Sequence, residues 1–198
     1  MSRSDLVAEY RSAIARVTPA YRRRLAELGL IEPAHRIGLA GVASVIADVD
    51  GLYVPDDAGE MAVVLPVWAA PISDALAFLD DPGRLIDLVA WQPKRGAKLL
   101  MRRGIGAALG EEAIRAAHVS GSALRLYRNP GSWARAGAGS AGAVILDWSA
   151  DLGLLDLKGV VAEDVAHGTE VKLRLRALQR RIRRLPSIRV PIPESMHA

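Results

Sequence analysis

The chain has 198 residues, of which 51% are hydrophobic and 24% charged; this composition fits one medium-sized globular domain and excludes wholesale disorder. It contains no cysteine, which excludes disulfides, thiolate metal sites and cysteine nucleophiles. Its net charge is +4, from 26 Lys and Arg against 22 Asp and Glu. The longest apolar segment, residues 61–72, is interrupted by Pro66 and Pro71 and is too short to cross a bilayer. We therefore expect a cytoplasmic protein that does not enter a membrane.

Residues 4–29 carry apolar side chains at helical spacing and are predicted to form two helices. Ser4 is placed to cap the first helix. Thr18 followed by Pro19 is typical of a second helix start, because proline is favoured at the first helical position. We expect residues 1–30 to form an N-terminal helical arm.

The pattern changes to short apolar and β-branched runs in the next part of the chain. Five strands are expected here, at residues 42–47, 52–54, 61–67, 85–91 and 97–101. Turn residues separate the first three runs, so these predict a β-hairpin or a β-meander. Residues 74–79, before a turn at 80–83, fit a helix or a strand.

The second half alternates helical and extended stretches. Helices are predicted at residues 111–118 and, as one turn capped by Ser132, at 132–136. Extended segments are predicted at residues 123–127, 143–148 and 159–162, of which the last two have the apolar runs of strands buried on both faces. This alternation predicts an α/β (or α+β) fold, with a mixed β-sheet and flanking helices. We assign residues 36–185 to this core and residues 186–198 to a tail.

A basic tract near the C-terminus carries the whole positive balance of the chain. Its members are Lys172, Arg174, Arg176, Arg180, Arg181, Arg183 and Arg184. Removing these seven from the 26 basic residues leaves 19 against 22 acidic ones. Apolar residues recur through the tract at spacings of four and three, at Val171, Leu175, Leu178, Ile182 and Leu185. The tract therefore predicts an amphipathic helix that ends before Pro186.

Three interpretations of this basic helix remain open. Its arginine stems can cover apolar neighbours while the charged ends stay in water. Its guanidinium groups can bind nucleic-acid phosphates. It can also meet an acidic protein or a membrane surface, although the stripe lacks the Trp and Phe typical of interfacial helices. The predicted partners are nucleic acid or an acidic protein, and no membrane.

No catalytic, metal or cofactor motif is complete, and we predict no cofactor. The glycines between residues 104 and 110 lie between a predicted strand and a helix, but their spacing favours a turn over a phosphate loop. Asp48 and Asp50 fit a hairpin turn better than a cation site. The best-placed acid–base candidates are Glu163, Asp164 and His167, at the carboxyl end of a predicted strand.

Residues 160–168, followed by the long helix, resemble the strand–acid–turn–helix unit of toprim domains, which occur in primases and topoisomerases. In that family two acids near the strand end bind a divalent metal. Glu163 matches the first acid and Gly168 the glycine, but Val165 stands where the second acid is expected. Residues 124–130 resemble the family's strand and turn with a catalytic Glu, whose position Arg128 or Asn129 takes. The resemblance implies a toprim-like core without a metal site.

Residues 85–110 and 123–149 are similar to uncharacterised proteins of alphaproteobacterial phages and prophages. Our first hypothesis is a non-catalytic accessory protein of phage or mobile-element type that contacts nucleic acid through residues 172–184. The second is a Mg²⁺-dependent phosphoryl-transfer or nucleotide-binding enzyme that uses Glu163, Asp164 and Asp147. The third is a structural protein that self-associates.

Overall fold

The computed structural model describes residues 3–30, 40–69, 84–93, 98–137, 141–150 and 152–182. Several predicted features lie outside these residues: the segment 74–79 with its turn at 80–83, Arg183, Arg184 and the tail 186–198. The helices are α1 Arg3–Ala15, α2 Pro19–Glu27, α3 Glu111–Ser120, α4 Pro130–Arg135 and α5 Val165–Ile182. The strands are β1 Gly41–Ala47, β2 Tyr53–Pro55, β3 Glu60–Ala69, β4 Arg84–Gln92, β5 Lys98–Met101, β6 Ala108–Leu109, β7 Leu124–Arg125, β8 Val144–Ile145 and β9 Val160–Val161.

The main sheet has five antiparallel strands in the order β2-β1-β3-β4-β5. The predicted hairpin is present between β1 and β2, but the first three strands do not form a meander, because β3 pairs with β1 and not with β2. Asp48 closes the first turn, because its Oδ1 accepts the backbone N–H of Asp50 and of Leu52, both at 2.9 Å. The β3–β4 pairing contains a bulge. Val67 pairs with Asp87 and Trp68 pairs with Leu85, so Ile86 has no opposite partner on β3.

Both faces of this sheet are covered. On one face Leu6, Tyr10 and Ala13 of α1 pack against a cluster that includes Val45 and Leu88. On the other face α2, which begins at the predicted Thr18 cap, packs Leu25 against a second cluster. Gly41 allows the close approach of α1, because a Cβ at that position would lie 2.6 Å from the Cβ of Ala13.

A partly buried ion pair ties α1 to the main sheet. The Glu9 carboxylate accepts bonds from the Tyr53 hydroxyl and from Arg102 Nε, both at 2.9 Å. The Arg102 guanidinium also lies over the Tyr53 ring, 5.7 Å from its centre. Burial is the main cause that raises the pKa of Tyr53, and the neighbouring Glu9 carboxylate raises it further. The phenol therefore remains a hydrogen-bond donor.

The C-terminal third forms a smaller unit with a third core. Here β6 pairs antiparallel with β8, β7 pairs parallel with β9, and Leu126 and Ala143 form a parallel bridge between the two pairs. Residues from α3, these strands and α5 share one cluster, in which Val171 is the buried residue of α5. The predicted mixed fold, with an N-terminal helical pair and a C-terminal basic helix, is thus confirmed.

Three local predictions are corrected. The helix near residue 132 is capped by Asn129, not Ser132, because Asn129 Oδ1 accepts the Ser132 N–H at 3.0 Å and Pro130 is the first helical residue. Strand β8 is shorter than residues 143–148, because Asp147 Oδ1 bonds the Ser149 N–H at 2.7 Å and turns the chain. The strand predicted at 159–162 is not buried on both faces, since Val161 is 41% exposed.

Candidate nucleic-acid interface and the acidic cluster beside it

The basic tract forms α5, as its apolar spacing predicts, but the helix starts earlier than that stripe, at Val165. Its start is fixed by Asp164, whose Oδ1 accepts the His167 N–H at 2.8 Å and so satisfies a backbone donor of the first turn. The Asp164 carbonyl accepts the Gly168 N–H at 2.9 Å. The sequence of this turn therefore sets where the basic residues stand.

The apolar stripe of α5 is only partly covered by described residues. Val171 is buried, Leu175 and Leu178 are half-buried, and Leu173 on the outer side is 60% exposed. The covered part lies near the middle of the helix, where Val171 and Leu175 pack on the third core. The first residue, Val165, is 88% exposed.

The basic residues of the tract that the structure describes are all exposed. They are Lys172, Arg174, Arg176, Arg180 and Arg181. Within the described ranges none of them has a carboxylate partner, and the one contact recorded is a 3.5 Å bond from Arg181 Nη1 to the Ser149 carbonyl. None of these five cations therefore forms an ion pair within the described residues, although Glu170 lies four residues before Arg174 on the same helix.

These cations form two rows along α5. Lys172, Arg176 and Arg180 stand four residues apart, about 6 Å per step at 1.5 Å per residue. Arg174 and Arg181 lie on the opposite flank at a spacing of seven. Like charges four residues apart cost an isolated helix about 0.2–0.5 kcal/mol per pair. An anion placed along the first row would remove that repulsion.

The acidic cluster lies at the start of α5. Arg128, which follows β7, donates from Nη1 and Nη2 to the two oxygens of Asp164, both at 2.8 Å. The Arg128 backbone N–H donates to Glu163 Oε2 at 2.8 Å. Two hydrogen bonds lower the pKa of Asp164 from 3.8 to about 2. The bond from the Arg128 side chain has the larger effect, and the bond from the His167 backbone N–H has the smaller one. The bond between Arg128 and Asp164 also raises the pKa of Arg128. The two charges form a bidentate pair that stays ionised across the physiological range.

His167 belongs to this cluster and is 4% exposed. Its Nδ1 accepts the Glu163 N–H at 3.2 Å, which leaves Nε2 as the protonated nitrogen of the neutral ring. Glu163 Oε2 is 3.7 Å from the same Nδ1. Glu163, Asp164 and His167 do come together, as their positions suggest, but their polar atoms bond one another, Arg128 and the start of α5.

Asp147, proposed as a third acid of that site, bonds its own turn through Ser149. In the ranges that the structure describes, no three His, Asp or Glu side chains form a group that could hold a metal ion. Glu163, Asp164 and Asp147 therefore do not converge as a group of three metal ligands. Arg128, one of the two residues at which the resemblance expects an acid, supplies a cation to Asp164.

The glycine-rich loop near residue 104 is organised around a carboxylate that sequence reasoning missed. Asp87 is 0% exposed, and its two oxygens accept four backbone N–H groups, from Leu88, Arg103, Ile105 and Gly106, at 2.8–3.0 Å. The loop amides that a phosphate would need are already bound. The only signal in the sequence is one acid within the apolar run of β4.

No protein-family model matches this chain, and searches of curated proteins and of solved structures find no similar protein. Among the described helices, none combines the length and the hydrophobicity that a bilayer span requires.

Proposed function

We propose that this protein is a non-catalytic accessory protein that contacts nucleic acid through the exposed basic face of α5. The observation that carries the proposal is the set of five exposed cations on one docked helix, from Lys172 to Arg181, without carboxylate partners in the described residues. Guanidinium groups bind phosphate through paired hydrogen bonds, and a row of them along a helix suits a phosphate backbone.

The proposal includes a cytoplasmic location, a phage or mobile-element origin and a toprim-like core. The toprim-like core is supported by the parallel β7–β9 pair, with Glu163 and Asp164 after β9 and a long helix behind them. The Arg128–Asp164 pair supports a binding role over phosphoryl transfer, because both oxygens of Asp164 are engaged by a guanidinium and not free for Mg²⁺.

The test is a gel-shift titration of the full chain against labelled duplex DNA and single-stranded RNA over a range of salt concentrations. True phosphate contacts give an affinity that falls as salt rises, with a log–log slope of about −0.9 per contact on duplex DNA. The double variant Arg176→Gln with Arg180→Gln should make this slope shallower by about 2, because each lost contact removes about one unit.

The matched control is Arg22→Gln with Arg23→Gln, two exposed arginines of α2, which removes the same charge from another helix. Glutamine keeps the helix propensity close to that of arginine, so both pairs leave the helices intact. The proposal fails if neither nucleic acid binds at low salt, or if both pairs of substitutions change the slope equally.

A further inference from the structure

An apolar groove of about 440 Å³ runs along one flank of α5. One wall is formed by Val171 and Leu175 of α5, the other by Val160 of β9, and Leu154 and Leu157 contribute apolar side chains. Lys172, Arg176 and Gln179 stand at its edge. No carboxylate lines the groove in the described part of the chain.

Among the described strands, only β7 pairs with β9, so the other edge of β9, which forms this wall, has no strand partner there. The bonds between β7 and β9 use the carbonyls of Gly159 and Val161, which accept the N–H groups of Leu124 at 3.0 Å and Leu126 at 2.9 Å. In an extended strand, successive residues direct their N–H and C=O to opposite sides. The N–H and C=O of Val160 therefore point away from β7, and no described residue bonds them.

An open strand edge beside a helix is the geometry that accepts an extended peptide as an added strand. The added backbone bonds the free N–H and C=O groups, and alternate side chains enter the groove. The groove is lined along α5 from Gly168 to Gln179, about 16 Å, which matches about five residues of extended chain.

We propose that this groove binds an extended segment of a partner protein as a strand added to β9, with apolar side chains at alternate positions and acidic ones between them. The apolar set packs on Val171 and Leu175, and the acidic set meets Lys172 and Arg176. Charge complementarity favours this occupant over residues 187–193 of the chain itself, whose sequence also alternates apolar residues but includes Arg189 and two prolines that lack an N–H. The proposal goes beyond nucleic-acid contact, since it depends on the backbone of Val160.

The test measures the fluorescence anisotropy of a labelled synthetic peptide of alternating valine and glutamate on titration with the full chain. We expect saturable binding, and weaker binding of the same peptide with lysine in place of glutamate. Val160→Pro removes the free N–H and should weaken binding about tenfold, as expected for one lost hydrogen bond at a strand edge. Val160→Thr keeps the N–H and is the matched control, with folding of both variants checked by circular dichroism.

Two peptides provide a second test that leaves the protein unchanged. Both have the alternating valine–glutamate sequence. In the first peptide the backbone nitrogen of every odd-numbered residue is methylated, and in the second that of every even-numbered residue. An added strand bonds β9 through only one of these sets, so one peptide should lose binding at least about tenfold while the other retains it.

Three results would overturn the proposal: no binding of the valine–glutamate peptide, equal losses in both N-methylated peptides, or tighter binding of a peptide that copies residues 186–194. The nucleic-acid proposal is tested separately, because Val160→Pro leaves every cation of α5 in place. Gel shifts that persist in this variant, together with lost peptide binding, would separate the two activities.

Discussion

The substitution Asp87→Asn should severely destabilise this protein, because the buried carboxylate is the acceptor for four backbone N–H groups. One oxygen bonds Leu88 and Arg103, and the other bonds Ile105 and Gly106. An amide of the same shape replaces one oxygen with NH₂, which directs hydrogen atoms at two of these donors. Each buried donor that loses its acceptor costs about 1–3 kcal/mol. We expect a loss of about 2–6 kcal/mol, a large part of the 5–15 kcal/mol typical of a domain.

The measurement is urea unfolding at neutral pH, followed by far-ultraviolet circular dichroism. The control is Asp57→Asn. The Asp57 side chain is 97% exposed, and its ion pair with Arg16 is long at 3.8 Å. This substitution should therefore change the free energy of unfolding by no more than about 0.5 kcal/mol. A similar change in the two variants, or a loss below about 1 kcal/mol for Asp87→Asn, would refute the assignment of Asp87 as the organiser of the 103–106 loop.

Two further predictions concern the acidic cluster and the buried tryptophans. The pKa of Asp164 is lowered from 3.8 to about 2, so its contribution to stability is present above about pH 4 and is lost as pH falls through 2. The difference in melting temperature between the wild type and Asp164→Asn should therefore shrink as pH falls from about 4 to about 2. A constant difference would contradict this prediction. Trp133 and Trp91 are equally buried, but only Trp133 Nε1 has a partner among the described residues, the Gly142 carbonyl at 2.8 Å. In urea unfolding, Trp133→Phe should therefore lower the free energy of unfolding by about 1–3 kcal/mol more than Trp91→Phe. Equal losses would show that the bond contributes little.

The elements that the sequence predicts well are those whose determinants are local. The Thr18–Pro19 start of α2 needs only the cap and the fixed φ of proline, and the turn at Asp48 needs only a carboxylate two residues before the N–H it accepts. The apolar spacing along α5 likewise defines a helix without knowledge of its neighbours. In each case the interacting groups lie within a few residues of one another.

The features that the sequence does not reveal join distant residues. Three of the four donors to Asp87 come from the distant loop between Arg103 and Gly106, and Asp164 receives its cation from Arg128, in a different strand–turn segment. The short lengths of β8 and β9 depend on which residues pair with them, and an apolar run cannot show that. The acids near residue 163 could be predicted as a cluster, but not their neutralisation by Arg128.

The Arg128–Asp164 pair explains how the end of β9 keeps two adjacent acids beside β7. Glu163 and Asp164 are consecutive residues, and two carboxylates this close repel each other unless a nearby cation offsets their charge. Arg128 provides that charge from the end of the parallel strand, with two donors in the plane of one carboxylate and its backbone N–H for the other. Because Asp164 also accepts the His167 N–H, the same guanidinium that neutralises the acid fixes the first turn of α5. The orientation of the basic face therefore depends on a residue outside the basic tract, because Arg128 holds Asp164 in place at the start of the helix that we propose contacts nucleic acid.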